Sequence, residues 1–132
     1  MKFDQIPIRV RYGETDQMGV VHHGNYALYI EMGRIEWLRK LGISYKKMEE
    51  EGIMLPVISM QLNFKKSARY DDVIKVKTEL KKMPTATIEF DYEITNENDE
   101  IITTANTVLA FIDIKRNKPI RAPKYILDIL ND

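Results

Sequence analysis

The sequence predicts an α+β fold: one curled antiparallel sheet of five strands wrapped around a long central helix. Apolar residues recur at every second position in several separate stretches, as in half-buried strands. One stretch, 25–41, places its apolar residues at helical spacing instead. The links between the later strands are of hairpin length, which calls for antiparallel pairing. At 132 residues the chain reads as one domain, 1–132, because two would each be too small to build a good core.

Ile6, Ile8, Val10 and Tyr12 alternate with Pro7, Arg9 and Arg11, a strand in which Pro7 is tolerable at the start or on an edge. A loop with glycines at 13, 19 and 24 follows. Asn25 then stands as an N-cap, and Gly42 sits where a helix C-terminus favours a left-handed residue. Between them Tyr26, Ile30, Gly33, Trp37 and Leu41 share one helix face, and Leu28, Met32 and Ile35 share nearly the opposite one. A helix apolar on two faces expects cover on both. Glu31 and Arg34, between those faces, read as a partly buried ion pair, with Glu31 a fallback carboxylate.

Residues 44–51 form a short second helix. Four strands follow in a meander, marked by Ile58 to Phe64, Ile74 to Leu80, Ile88 to Ile94 and Ile101 to Ile114. The last is apolar at both parities from Val108 to Ile112, as a centrally placed strand would be. A basic tail, 115–132, ends in a short apolar helical turn.

Composition excludes several functions. Twenty Lys and Arg cancel twenty Asp and Glu, so no global charge recruits nucleic acid or an anionic membrane. No apolar run approaches the roughly 20 residues of a membrane span. There is no cysteine, hence no disulfide, thiolate metal site or Cys nucleophile, which suits a cytoplasmic protein. His22 and His23 are the only histidines, and adjacent loop side chains seldom converge on one ion, so neither a metal nor another cofactor is expected.

The segment V-R-Y-G-E-T-D-Q-M-G-V-V-H-H-G-N-Y, followed by Y-I-E-M-G-R-I-E-W-L, resembles the hotdog-fold acyl-CoA thioesterases. The likeness is to the 4-hydroxybenzoyl-CoA thioesterase family and its bacterial short-chain acyl-CoA branch. It continues through F-K-K-S-A-R-Y-D-D and K-P-I-R-A-P, over nearly the whole chain. It implies hydrolysis of an acyl-CoA to free acid and CoA, with Asp16 as the catalytic carboxylate and Tyr12 and His23 as its companions. It also implies a homodimer or homotetramer whose sites lie at the dimer interface.

A thioester is already activated, and its leaving thiol has a pKa near that of free Cys, about 8.5. The site therefore needs an attacking group or a base, and donors for the carbonyl oxygen as charge develops on it. Asp16 serves as nucleophile or as base to a water, and the alternative for the same residue is a turn-capping Asx bond. Backbone N–H groups at His23 and Gly24, at the positive end of the helix, would polarise the carbonyl. Tyr12 is read equally as a core residue of the first strand. Asn25, Tyr26 and Met60 are candidate pocket residues, although Tyr26 and Met60 also suit the core. For the phosphates of CoA, two basic clusters stand out: Arg69 with Lys65 and Lys66, and Arg121 within the tail. The competing functions are an acyl-carrier-protein thioesterase and a non-catalytic domain that binds acyl thioesters. An acyl-CoA hydratase is disfavoured, because the S-G-D-x-N-P-x-H loop is absent.

Overall fold

The computed structural model describes residues 2–131. Strand β1 (Phe3–Arg9) leads through a tight turn at Tyr12–Glu14 and a loop to α1 (Gly24–Lys40). Next come α2 (Tyr45–Glu50), β2 (Ile53–Met54), β3 (Val57–Phe64), β4 (Val73–Leu80), β5 (Thr87–Thr95) and β6 (Ile101–Ala110). The chain closes with β7 (Ile112–Asp113), β8 (Lys118–Pro119) and α3 (Lys124–Leu130). The main sheet runs β1-β4-β5-β6-β3, with every neighbouring pair antiparallel, and β2, β7 and β8 form a small second sheet.

This is the expected class, one five-stranded sheet against one long helix, with a different strand order. Only β4, β5 and β6 form a meander. β3 pairs with β6, Leu62 opposite Ala105, and forms the far edge. Periodicity sets which face a residue takes and is silent on which neighbour a strand chooses. The link 65–72 is therefore a crossing segment rather than a hairpin. It traverses the end of the sheet and binds back to the end of β1, where Val10 N donates to Asp72 O at 2.8 Å.

The core lies between α1 and the concave sheet face. Trp37 meets Phe90 edge to face at 5.0 Å, over buried Ile74, Val76, Ile88 and Leu109. Gly33 permits this approach: a Cβ there would stand 2.7 Å from Thr78 Oγ1 and 2.8 Å from Val76 Cγ1. The opposite helix face is bare, Leu28 being 54% and Met32 48% exposed, so this chain does not supply the second cover expected for α1. Asn25 is not the N-cap. The helix begins at Gly24 after His23, and the Asn25 amide donates instead to Glu14 O at 2.8 Å. Gly42 is left-handed, φ 84°, as its position required.

The ion pair expected between Glu31 and Arg34 is absent among the described residues. Arg34 turns inward, is 3% exposed, and donates to Tyr92 Oη at 3.2 Å, while Glu31 faces outward. No helix among the described residues is long and apolar enough to cross a membrane.

Candidate active site

The chain between β1 and α1 folds into a small closed loop because its own backbone groups pair. Asp16 N donates to Val20 O at 2.8 Å, and Gly19, with φ 80°, donates to Asp16 O at 3.0 Å. Thr15 and Val21 form a bridge at its neck. The Asp16 carboxylate takes part through one oxygen: Oδ1 accepts from Met18 N at 2.9 Å and from Val20 N at 3.4 Å. The turn-capping bond expected as the alternative for Asp16 is therefore present. Oδ1 caps the turn, and among the described residues no donor engages Oδ2. The carboxylate is half-buried, its orientation fixed and one oxygen available.

The crossing segment 65–72 zips onto the other side of this loop. Val21 N donates to Ala68 O at 2.9 Å, and Val20 bridges Arg69. Ala68 N donates in turn to Tyr26 Oη at 3.2 Å, so Tyr26 is a buried tie between α1 and the crossing segment. Burial pushes the Tyr26 hydroxyl pKa above its ordinary value, which keeps it protonated.

Glu14, absent from the sequence-based candidates, is the joint between loop and helix. Its carboxylate accepts from Arg11 N at 2.8 Å, from Arg11 Nε at 2.9 Å and from Tyr29 Oη at 2.8 Å. Its backbone oxygen accepts from His22 N at 2.9 Å as well as from the Asn25 amide. Burial alone would raise the Glu14 pKa, but the bonds from the Arg11 backbone, Tyr29 and the Arg11 side chain together hold it below the ordinary carboxylate range. The available sequence signal was the R-x-x-E spacing of Arg11 and Glu14. Tyr29 is fifteen residues further on and only the fold reveals it.

At the start of α1 the expected pair of carbonyl donors is half occupied. His23 N has no acceptor among the described residues, whereas Gly24 N donates to His22 Nδ1 at 3.1 Å. The His22 and His23 rings stack with centroids 4.3 Å apart. Aromatic contacts continue to the sheet edge: His23 lies 6.4 Å and Tyr26 5.5 Å from Phe64, and Tyr26 lies 5.8 Å from Tyr29.

Asp16, His23, Gly24, Asn25, Tyr26 and Arg69 therefore gather at one end of the molecule. Tyr12 is there too but does not continue the strand face. β1 stops at Arg9, and the Tyr12 ring stands 77% exposed, edge-on to Tyr70 at 5.6 Å. Met60 sits midway along β3 on the exposed sheet edge, about 13 Å along the strand from Phe64. Arg121 lies at the opposite end: its neighbour Ala122 donates to Thr85 O at 2.7 Å, beyond the far end of β4, about 25 Å along that strand from the Asp16 end. Of the two basic clusters, only that of Arg69 stands beside Asp16 in the same chain. Within it Lys66 is paired with Glu100.

Comparison with known proteins agrees with this architecture. The Staphylococcus aureus DHNA-CoA thioesterase structure superposes with a TM-score of 0.91 at 42% identity, covering 99% of this chain and 88% of that one. A 4-hydroxybenzoyl-CoA thioesterase structure shares the fold at a TM-score of 0.87 and 20% identity, covering 98% and 99% of the two chains. The Escherichia coli (O6:H1) acyl-CoA thioester hydrolase YbgC is 31% identical over 121 residues, 92% of this chain and 90% of that protein. With the thioesterase-like superfamily description matching residues 10–130 and the sheet, helix and loop arranged as in its solved members, the chain belongs to that superfamily and has its hotdog fold.

Proposed function

We propose that this chain, as one hotdog domain over 1–132, hydrolyses acyl-CoA thioesters, with Asp16 as its essential carboxylate. The observation that carries the reading is the half-tied carboxylate. Oδ1 is locked by its own turn and, among the described residues, Oδ2 has no donor, in a loop pinned to the helix end where His23 N has no acceptor. Oδ2 either attacks the thioester carbon directly or removes a proton from an attacking water. The His23 N–H and the positive end of α1 stabilise the oxygen that gains charge, and the thiolate of CoA leaves. His23 and Tyr12 are assigned as the companions of the carboxylate on the family resemblance. Arg69, its guanidinium laid against Gly19, faces the phosphates of CoA.

Two copies complete the site. The β3 edge is unpaired in the single chain and exposes Ile58, Met60 and Phe64, which suits self-pairing into a longer sheet. Antiparallel pairing of two β3 strands brings the far end of one copy beside the Asp16 end of the other. Arg121 then reaches the site as a residue of the second copy.

The Staphylococcus aureus relative is a DHNA-CoA thioesterase, and a Synechocystis structure of the same fold is a 1,4-dihydroxy-2-naphthoyl-CoA thioesterase, whose naphthoyl group is aromatic. The exposed rings of His23 and Phe64, 6.4 Å apart, give this chain a wall suited to such a group.

The test is thiol release from a panel of short, long and aromatic acyl-CoAs, wild type against Asp16→Asn. Release by the wild type, reduced by about two orders of magnitude or more in the variant, is expected. Equal rates in both would move the chemistry to Glu31. No release by folded wild type would favour acyl-carrier-protein substrates or a binding role.

A further inference from the structure

We propose that His22 holds, in the free protein, the backbone donor that the substrate carbonyl takes on binding, so that this residue sets substrate affinity. The inference rests on the hydrolase reading above.

The first turn of α1 has few N–H groups to offer. Asn25 N is taken by His22 O at 2.9 Å and Tyr26 N by His23 O at 3.2 Å. Gly24 N is taken by a side chain, His22 Nδ1, at 3.1 Å. That bond spans residue i to i+2, the reach of an Asx turn, with Nδ1 as its acceptor. An acceptor 3.1 Å from this N–H occupies the place a carbonyl oxygen would take in an oxyanion hole. The ring is close enough that a Cβ on Gly24 would stand 3.2 Å from Nδ1 and 3.3 Å from Cε1.

His22 is exposed, and among the described residues its one aromatic partner is the stacked His23 ring, so it can swing outward by side-chain rotation. With the ring out, Gly24 N joins His23 N as a second donor to the carbonyl. With the ring in, the site is capped. The cost of breaking the cap is met once, on binding, and is common to bound substrate and transition state. It therefore appears in KM and leaves kcat unchanged. One ordinary hydrogen bond corresponds to about fivefold.

The experiment compares wild type, His22→Leu and His22→Asn in steady-state thiol release with the best acyl-CoA of the panel. His22→Leu cannot accept, and its KM is expected to fall about three- to tenfold at a kcat within twofold of wild type. His22→Asn re-forms the i to i+2 bond, and its KM returns to within about twofold of wild type. A His22→Leu variant with wild-type Tm and an unchanged or raised KM overturns the proposal. If His22→Leu fails to fold, the wild type is titrated with a non-hydrolysable acyl-CoA thioether while the His22 ring nitrogens are followed by ¹⁵N NMR. Loss of the hydrogen-bonded Nδ1 signal on binding supports the proposal, and an unchanged signal overturns it. Absence of thiol release from the wild type overturns the hydrolase reading and this inference with it. Release with an unchanged KM in His22→Leu overturns this inference alone.

Discussion

Replacing Glu14 by Gln removes one negative charge from the joint between the Asp16 loop and α1 at almost constant shape. The Glu14 side chain is 13% exposed and that of Arg11 is 81% exposed, so the two ends of the joint are unequal. The ion pair to Arg11 lies in high-dielectric surroundings and contributes about 0–1 kcal/mol. The inward bond from Tyr29 and the bond from Arg11 N are charge-assisted, about 1.5–3 kcal/mol each against about 1 kcal/mol for neutral partners. The amide oxygen of Gln keeps part of this, which leaves a loss of about 1–2 kcal/mol. For a domain of this length that lowers Tm by roughly 3–8 °C.

The sign of the pH dependence follows from the depressed pKa of Glu14. A carboxylate held below its unfolded value contributes stability above that value and loses it as pH falls through the folded one. The gap between wild type and Glu14→Gln should be full at pH 7, persist to about pH 5, and close as pH falls below the ordinary Glu value of about 4.3. Thermal denaturation of both proteins across this range measures it. Because Glu14 sets the seating of Asp16 without touching substrate, kcat should also fall about tenfold, more than KM changes. Equal Tm values at pH 7, or a gap that widens on acidification, would refute the account of Glu14 as a clamp.

Two further outcomes test the frame around the site. Gly33→Ala gains about 1 kcal/mol of helix propensity but forces a methyl group against Thr78 and Val76, an overpacking cost of about 1–3 kcal/mol. Urea unfolding should show a net loss, partly recovered by the double variant with Val76→Ala. Met60→Lys places a charge on the β3 edge, and sedimentation velocity should show the proposed assembly of the wild type shifted toward monomer in the variant. A monomeric wild type would remove the basis for a two-chain site.

The parts of the fold that depend on local periodicity were readable from residues alone. The burial of β4 and β5 alternates at every position, as the Ile, Val and Phe spacing required, and Gly42 takes the left-handed conformation its place demanded. Pairing was not readable. β3 alternates apolar and polar residues like its neighbours, and nothing in Ile58, Met60, Leu62 and Phe64 distinguishes β6 from β4 as partner. The site shows the same division. Asp16, His23 and Gly24 lie within a few residues of one another and were found together, whereas Arg121 was grouped by its charge and lies at the far end of the sheet. Glu14 was missed because the residue it joins to the loop, Tyr29, is brought to it only by the docking of α1.

The sheet order also dictates a schedule for folding. Both edge strands, β1 and β3, come from the first half of the chain, and the strands they pair with, β4 and β6, come from the second. During synthesis neither edge finds its ladder until its partner has emerged: Phe3 waits for Glu79, and Val57 for Leu109. The β4–β5–β6 meander, joined by short links, is the segment able to form first, with the earlier strands annealing to its two sides. Until then the first half of the chain carries unpaired strands and the bare Leu28–Met32 face of α1, a window in which association between nascent chains competes with folding.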